Sequence, residues 1–191
     1  MVRGVFMTYK KKICLEKSMI TSTSNQQMKN LMLLMKKAKA RNEQELFVVE
    51  GRKMFQEVPE EWLKQVYVSE SFFAENDKML AGYTYEIVSD SVFKAVSDTQ
   101  TPQGILCLVR KPQYRLEELL KGADTHLLIL ESIQDPGNLG TMLRTGEGAG
   151  ISGVVMNHTT VDLFNPKTIR STMGSITACH FCDQRSGRDH L

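Results

Sequence analysis

The residues best suited to chemistry lie in one stretch, residues 134–150, with the sequence QDPGNLGTMLRTGEGAG. Pro136 and Gly137 favour a turn, and Asn138 is a residue type that caps helices. The apolar residues that follow repeat with helical spacing and leave Arg144 on the exposed side. A guanidinium there offers a planar fork of donors to phosphate oxygens. The stretch therefore predicts an anion-binding site built around Asn138 and Arg144.

The neighbouring strands predict where this site lies. Residues 126–130 form a continuous apolar run, typical of a strand buried on both faces of a parallel sheet, and residues 153–156 form the next strand. This β-loop-α-β order is the unit of a doubly wound sheet, which binds ligands at the carboxyl ends of its strands. The alternative for Arg144 is an exposed ion pair with Glu147, worth only about 0.2–0.5 kcal/mol.

A second candidate stretch is residues 162–175, DLFNPKTIRSTMGS. Asn165, followed by proline, predicts a helix start, and Gly174 predicts its end. Lys167 and Arg170 lie three residues apart, so they share a helix face and can bind an anion together. A capped surface helix without a ligand explains the same residues equally well.

Two further patterns look like known motifs but do not fit them. The glycines of residues 148–153 match G-x-G-x-x-G, yet they close a helix and lead into a strand, whereas a dinucleotide fingerprint follows a strand and opens a helix. We interpret them as a helix stop and a turn. Cys179 and Cys182 form a C-x-x-C, but the sequence has no second such pair. We therefore expect unpaired thiols and no metal site.

The front of the chain is basic. Residues 1–53 hold 12 Lys/Arg and 4 Asp/Glu, whereas the remainder holds 12 and 18. A basic front suits a polyanion such as RNA, although a solvated helix face plus a tail gives the same charge. A helix is predicted over residues 25–41, capped by Ser22 or Ser24. Our candidate RNA contacts are Lys36, Lys37 and Arg41 on this helix, together with Arg170.

The chain divides into two α/β halves. Residues 19–112 alternate short strands and helices and are numerous enough for a core of their own, while residues 113–191 restart the pattern after a proline linker. Residues 1–18 form an N-terminal extension. The sequence has no apolar run near the ~20 residues of a membrane span and no signal-peptide pattern, so we expect no membrane contact and a cytoplasmic location. In the first half we predict strands at residues 46–50, 65–68, 85–88 and 105–110, and helices at 52–57, 72–80 and 90–96.

These residues resemble the SpoU (TrmH-type) RNA 2′-O-ribose methyltransferases over residues 19–174. The family's first signature is similar to Asp135-Pro136-Gly137-Asn138-Leu139-Gly140 with Arg144-Thr145. Its next segment is similar to Asn165-Pro166-Lys167 with Arg170 and Met173-Gly174. Landmarks of its substrate-binding domain, which is related to the ribosomal L30e/L7Ae fold, look like Phe47-Val48-Val49-Glu50-Gly51 and Pro102-Gln103-Gly104-Ile105.

The resemblance implies an α/β fold in two parts. An L30e/L7Ae-like substrate-binding domain at residues 19–112 is followed by the first part of a SPOUT, trefoil-knot type methyltransferase domain at 113–191. The resemblance also implies methyl transfer from S-adenosylmethionine to a ribose 2′-hydroxyl of rRNA or tRNA, by a homodimer with its site at the dimer interface.

Asn138 and Arg144 match the first-signature positions, so the resemblance implies that both are catalytic. The family's arginine is often proposed as the base that deprotonates the 2′-hydroxyl. An ordinary arginine stays protonated well above neutral pH. We therefore assign Arg144 first to holding the RNA phosphate beside the reacting ribose, with Asn138 orienting Arg144 and the loop.

The sequence after Ser175, ITACHFCDQRSGRDHL, departs from the family pattern. The family continues with a buried strand, a G-x-E-x-x-G loop that binds the cofactor, and a final Ser-Leu-Asn segment. We interpret the end of the chain as a truncation, with the knot segment and the cofactor-binding residues missing. We expect that the chain alone neither knots nor binds S-adenosylmethionine well, and that it leaves a sheet edge and apolar surface uncovered. We do not extend the homodimer to it.

The alternative function is a non-catalytic RNA-binding protein that uses only the L30e-like domain. Such a module has no need of Asn138 and Arg144 on a second α/β unit. Their presence favours a catalytic lineage.

Overall fold

A computed structural model describes residues 19–122 and 124–183 of the 191-residue chain. The predicted extension, residues 1–18, lies outside this part. The strands are β1 Leu46–Glu50, β2 Leu63–Ser69, β3 Tyr85–Val88, β4 Ile105–Arg110, β5 Leu127–Leu130, β6 Gly153–Met156 and β7 Phe181–Asp183. The α-helices are α1 Gln26–Lys36, α2 Ala38–Gln44, α3 Arg52–Glu57, α4 Glu70–Asn76, α5 Asp90–Val96, α6 Leu116–Leu119, α7 Pro136–Gly148, α8 Pro166–Thr172 and α9 Ser175–Ala178. Short 3₁₀ helices occur at Glu60–Trp62 and Asp77–Leu80.

The first sheet has the strand order β1-β4-β2-β3. Strand β4 runs antiparallel to β1 and β2, and β2 runs parallel to β3. All of β4 except Arg110 is buried, because helices cover both faces of the sheet. Side chains of α1 and α5 fill one face, including Met28, Leu34 and Phe93, and the opposite face merges with the core of the second half. The predicted α/β class is confirmed.

The predicted single helix over residues 25–41 is wrong. Lys37 has an extended backbone, with φ −122° and ψ 111°, and divides it into α1 and α2. Asn25, rather than Ser22 or Ser24, caps α1 by accepting a hydrogen bond from the N–H of Gln27 at 2.8 Å. The remaining elements predicted for this half are confirmed, with ends shifted at β2 and at α4 and the 3₁₀ turn that follows it.

The second sheet is parallel, in the order β5-β6-β7. The prediction that its first strand is buried on both faces is wrong. Leu130 is buried, but Ile129 is 74% exposed, because β5 is an edge strand with one face uncovered by any described element. The expected loss of the strand after Ser175 is also wrong in part, since β7 forms three residues of parallel pairing beside β6. The expectation of uncovered apolar surface is confirmed at Ile129.

A buried ion pair joins the two halves. Nε of Arg41 lies 2.8 Å, and Nη2 lies 2.5 Å, from Oδ2 of Asp162, and these side chains are only 3% and 12% exposed. Nη1 of Arg41 also donates to the carbonyl oxygens of Leu34 and Met35, which the helix break leaves available. The expectation that Arg41 contacts RNA is therefore wrong, because its donors are used inside the protein.

We call the interface between the two halves, around Arg41 and Asp162, the seam. A contact between aromatic rings extends it. The ring of Phe164, 2% exposed, packs 4.8 Å from Phe47 of β1 and 5.5 Å from Phe181 of β7. The ammonium of Lys111 lies 4.5 Å from the centre of the Phe164 ring. The segment before α8 therefore anchors the second half on the first sheet.

Removing one partner of the Arg41–Asp162 pair is expected to destabilise the fold strongly. Asp162→Ala leaves a buried guanidinium without its counter-charge, which costs about 3–5 kcal/mol in free energy of unfolding, and Arg41→Met has a comparable effect. Urea denaturation measures both. Glu43→Gln is the matched control, because it breaks the exposed Lys39–Glu43 pair and is expected to cost less than about 1 kcal/mol. An Asp162→Ala protein as stable as Glu43→Gln would contradict this prediction.

Candidate functional site

Hydrogen bonds connect the two loops that follow β5 and β6. The N–H of Ser132 donates to Oδ1 of Asn157 at 3.0 Å, and the N–H of Val161 donates to the carbonyl of Ile133 at 2.7 Å. The hydroxyls of Ser132 and Thr159 lie 2.7 Å apart. Ser132 has φ 56°, in the left-handed region. These contacts fix the direction in which the chain leaves the sheet and starts α7.

Helix α7 begins earlier than predicted. Asp135 caps it by accepting a hydrogen bond from the N–H of Asn138 at 2.7 Å, and Pro136 takes the first helical position. The prediction that Asn138 is the cap is therefore wrong. The Asn138 side chain is exposed and has no hydrogen-bond partner among the described residues. Its amide is consequently available to a ligand at the first turn of α7.

Arg144 lies on the exposed side of α7, as the spacing predicts. Its guanidinium makes no ion pair or hydrogen bond within the described part of the chain, so the alternative pair with Glu147 does not form. Asn138 and Arg144 are separated by about 9 Å along the helix axis and by about 120° around it. No hydrogen bond joins them, so the assignment of Asn138 as the residue that orients Arg144 stays a prediction.

The start of α8 is as predicted. Asn165 caps it by accepting a hydrogen bond from the N–H of Lys167 at 2.9 Å, and Pro166 occupies the first turn. The last helical residue is Thr172, and Met173, with φ 51°, is the C-cap, one residue before the predicted Gly174. Lys167 and Arg170 both reach the surface from this helix.

Helices α7 and α8 meet at a glycine of the first candidate stretch. A Cβ on Gly140 would lie 2.0 Å from Oγ of Ser171 and 2.6 Å from its carbonyl carbon, so only glycine fits. The Ser171 hydroxyl donates to the carbonyl of Pro136 at 2.8 Å. The last turn of α8 is thereby fixed against the first turn of α7, where Asn138 lies.

Arg170 connects α8 to the first half. Its Nη1 lies 2.7 Å from Oδ2 of Asp98, and the two side chains are 38% and 47% exposed. An exposed pair of this kind contributes only about 0–1 kcal/mol, so a phosphate can replace the carboxylate. Nearby, the ammonium of Lys53 donates to the carbonyl of Met173 at 2.8 Å. Arg170 is therefore held beside the α7–α8 contact and stays a candidate for RNA binding.

The two landmarks of the first half are adjacent in space. The N–H of Gly51 donates to the carbonyl of Ile105 at 3.0 Å, and the N–H of Arg52 donates to Oε1 of Gln103 at 2.9 Å. Oε1 of Glu50 accepts hydrogen bonds from the hydroxyls of Ser97 and Thr99, at 2.6 and 2.5 Å. These bonds shape the loop that carries Asp98. Sequence reasoning found the landmarks but missed Asp98, whose partner is 72 residues away.

Lys36 and Lys37 lie at the break between α1 and α2. Both are exposed, and neither ammonium pairs with a described residue. Lys39 of the same region differs, since its ammonium lies 3.7 Å from Glu43. Lys36 and Lys37 therefore stay candidates for RNA contacts.

Thiol reactivity, potential metal ligands and helix length limit the kinds of site in the described part of the chain. Burial raises the pKa of the Cys107 thiol, and burial followed by the charge of Glu147 raises the pKa of Cys179, so neither is a ready thiolate. Residues 19–122 and 124–183 contain no group of three potential metal ligands. None of the described helices is long and apolar enough to cross a membrane.

Comparison with protein families matches both halves. Residues 25–107 match the MRM3-like substrate-binding domain, and residues 125–189 match the SpoU rRNA methylase family. The chain therefore contains an MRM3-like substrate-binding domain followed by a SpoU methylase domain. Both matches fall inside the predicted halves, residues 19–112 and 113–191, whose exact boundaries stay predictions.

Curated relatives that this chain resembles are rRNA methyltransferases. The 23S rRNA (guanosine(2553)-2′-O)-methyltransferase RlmP of Bacillus subtilis is 35% identical over 158 residues, which cover 82% of this chain and 61% of the relative. The mitochondrial rRNA methyltransferase 3 of Homo sapiens is 32% identical over 164 residues, covering 79% of this chain and 38% of the relative. The chain thus spans less than two thirds of the length of either relative.

Solved structures share the fold. An rRNA methyltransferase from Sinorhizobium meliloti superimposes with a TM-score of 0.74 at 26% identity, over 90% of this chain and 69% of that one. Its AdoMet-bound form gives 0.73 at 25% identity, over 90% and 68%. An RNA 2′-O ribose methyltransferase gives 0.70 at 31% identity, over 87% and 65%. The SpoU-type fold expected from the sequence is confirmed.

Gly140→Ala is expected to push the two SpoU helices α7 and α8 apart and to lower the free energy of unfolding by about 1–3 kcal/mol, because the added methyl collides with Ser171. Thermal and urea unfolding measure the loss. Gly148→Ala, in the same helix with open space around it, is the matched control and is expected to be neutral or stabilising by up to about 1 kcal/mol. Equal stability of the two variants would show that the close approach is not a constraint.

Proposed function

We propose that this chain acts in methylation of a ribose 2′-hydroxyl of ribosomal RNA, with S-adenosylmethionine as the methyl donor. The observation that carries the proposal is the exposed, unpaired guanidinium of Arg144 on α7, the helix that begins after the carboxyl end of β5. The names of the relatives support rRNA rather than tRNA as the substrate, and that of the Bacillus relative specifies 2′-O transfer.

In this proposal Arg144 binds an RNA phosphate beside the reacting ribose. Bound S-adenosylmethionine would supply an electrophilic methyl group to the 2′-oxygen, and the hydroxyl proton would pass to water. A protonated guanidinium stabilises the adjacent anion and fixes the ribose by a forked contact, but it is a poor base at neutral pH. The exposed Asn138 amide can donate to the same backbone or to the loop. Both residues are assigned to positioning of the RNA at the reacting atoms.

The described residues do not by themselves fit S-adenosylmethionine, whose sulfonium supplies an electrophilic methyl group. Ile129 and Leu120 leave apolar surface open, at 74% and 54% exposure, rather than enclosing a pocket. A cavity of about 410 Å³ lies at the opposite edge, near the start of the parallel strands, and is lined by Tyr114, Ser152 and His180 among others. We assign no cofactor-binding residue in this part and propose that the chain alone does not hold the cofactor.

RNA is the proposed partner, with Lys36, Lys37 and Arg170 as contacts. The thiols of Cys107 and Cys179 form no disulfide with a described residue, which supports a cytoplasmic location, where thiols stay reduced. The homodimer of the family forms no part of the proposal for this chain.

Calorimetric titration of the folded 191-residue chain with S-adenosylmethionine is expected to give no one-to-one binding heat, because we assign no cofactor-binding residue among the described residues. Circular dichroism before the titration establishes that the protein is folded. One-to-one binding would contradict this expectation, and Asn138 and Arg144 variants would then be tested directly for methyl transfer.

A chimaera tests the reaction itself. Residues 1–175 of this chain, joined to the corresponding remainder of the Bacillus subtilis relative, are expected to transfer tritiated methyl groups to 23S rRNA. Arg144→Ala in the chimaera is expected to lower the rate roughly 100-fold, because the ribose loses its forked contact. Arg115→Ala, an exposed arginine at the far edge of the sheet, is the control. A folded wild-type chimaera that binds no rRNA, or an Arg144→Ala variant as active as the control, would refute the proposed role.

A further inference from the structure

The buried Arg41–Asp162 pair brings exposed lysines from both halves to one seam. Lys37 precedes α2 by one residue, and its carbonyl accepts a hydrogen bond from the N–H of Arg41 at 3.2 Å, so the two residues are one helical turn apart. Across the seam, the carbonyl of Asp162 accepts a hydrogen bond from the hydroxyl of Thr168 at 3.1 Å. Lys167, next to Thr168, is exposed. Lys37 and Lys167 therefore each lie close in the chain to one member of this ion pair.

The two segments that meet at this seam contain no other acidic residue. Residues 19–42 include no Asp or Glu, and neither do residues 163–182. Asp162 borders the second segment, and its charge is neutralised by Arg41. Because uncompensated cations repel one another, a cluster of this kind carries a small cost in the free protein that a bound polyanion removes.

The lysines at the seam differ in availability from the other cations of these segments. Lys39 is paired with Glu43, and Arg170 is paired with Asp98. Lys36, Lys37 and Lys167 are exposed and pair with no described residue. The three ammonium groups are therefore free to meet phosphates without first losing a protein partner.

The seam also leads to the proposed reaction site. Lys167 lies in the first turn of helix α8. The last turn of α8 is fixed to α7 by the hydrogen bond from Ser171 to Pro136. We propose that Lys36, Lys37 and Lys167 form one continuous RNA-backbone contact surface across the two halves. This inference rests on the proposed function, and it makes the methylase half a direct contributor to RNA binding through Lys167.

Salt-dependent RNA binding tests the surface. The probe is a fluorescein-labelled transcript of the 23S rRNA segment that contains guanosine 2553, and anisotropy gives Kd from 50 to 300 mM KCl for the 191-residue chain. Lys37→Gln and Lys167→Gln are each expected to weaken binding about five- to tenfold near 100 mM salt and to lower the salt slope by about one. The double variant is expected to lower the salt slope by about two. Lys167→Arg is expected to keep the slope, and Lys39→Gln is the matched control.

The outcomes distinguish a failure of the proposed contact surface from a failure of the proposed function. If Lys37→Gln weakens binding but Lys167→Gln behaves like Lys39→Gln, the RNA stays on the first half and the inference is overturned, while the proposed function stands. If neither variant differs from Lys39→Gln, the surface is wrong at both ends. If the folded wild-type chain does not bind the transcript at all, the proposed function fails and the inference fails with it.

Discussion

The Arg41 guanidinium is buried between the two halves of the chain, and the carboxylate of Asp162 lies beside it. Taking both charges out of water is costly, so such a pair contributes less to net stability than to the choice of one arrangement over others. Two local features accompany it. The helix breaks at Lys37, and the carbonyls of Leu34 and Met35 near that break accept from Arg41. Asp162 in turn shapes the start of α8, since its carbonyl holds the Thr168 hydroxyl and its Oδ1 accepts from the N–H of Phe164.

The position of Arg144 follows from constraints that pass from α8 to α7. Gly140 lets the two helices approach until Ser171 touches the backbone, and the Ser171 hydroxyl ties α8 to the first turn of α7. The hydrogen-bonded loops after β5 and β6 fix that same turn from the side of the sheet. A side chain presented from a helix whose first turn is fixed from two sides loses little freedom on binding, which is the condition for the proposed contact with RNA.

What the sequence predicts well is local, and what it misses depends on distant partners. Strands β3 and β4 and helices α3 and α5 are bounded by turn residues and were predicted to the residue. The single helix over residues 25–41 fails because the partner of Arg41 is 121 residues away. Asp135 and Asn138 are equally good caps in isolation, so the true start of α7 depends on the proline between them. The exposure of Ile129 was missed because an apolar run does not reveal whether its strand lies at a sheet edge.

Acidic residues are distributed unevenly along the chain, which the net charge of the whole chain does not show. The chain carries only +2 overall, and residues 54–162 hold 16 of its 22 acidic residues. A polyanion is repelled from most of that surface, whereas the acid-free segments 19–42 and 163–182 meet beside Asp162, whose charge is neutralised by Arg41. A buried ion pair that assembles the halves thus also removes the negative charge from the place where cations of both halves face solvent. Structural assembly and RNA attraction then depend on the same carboxylate.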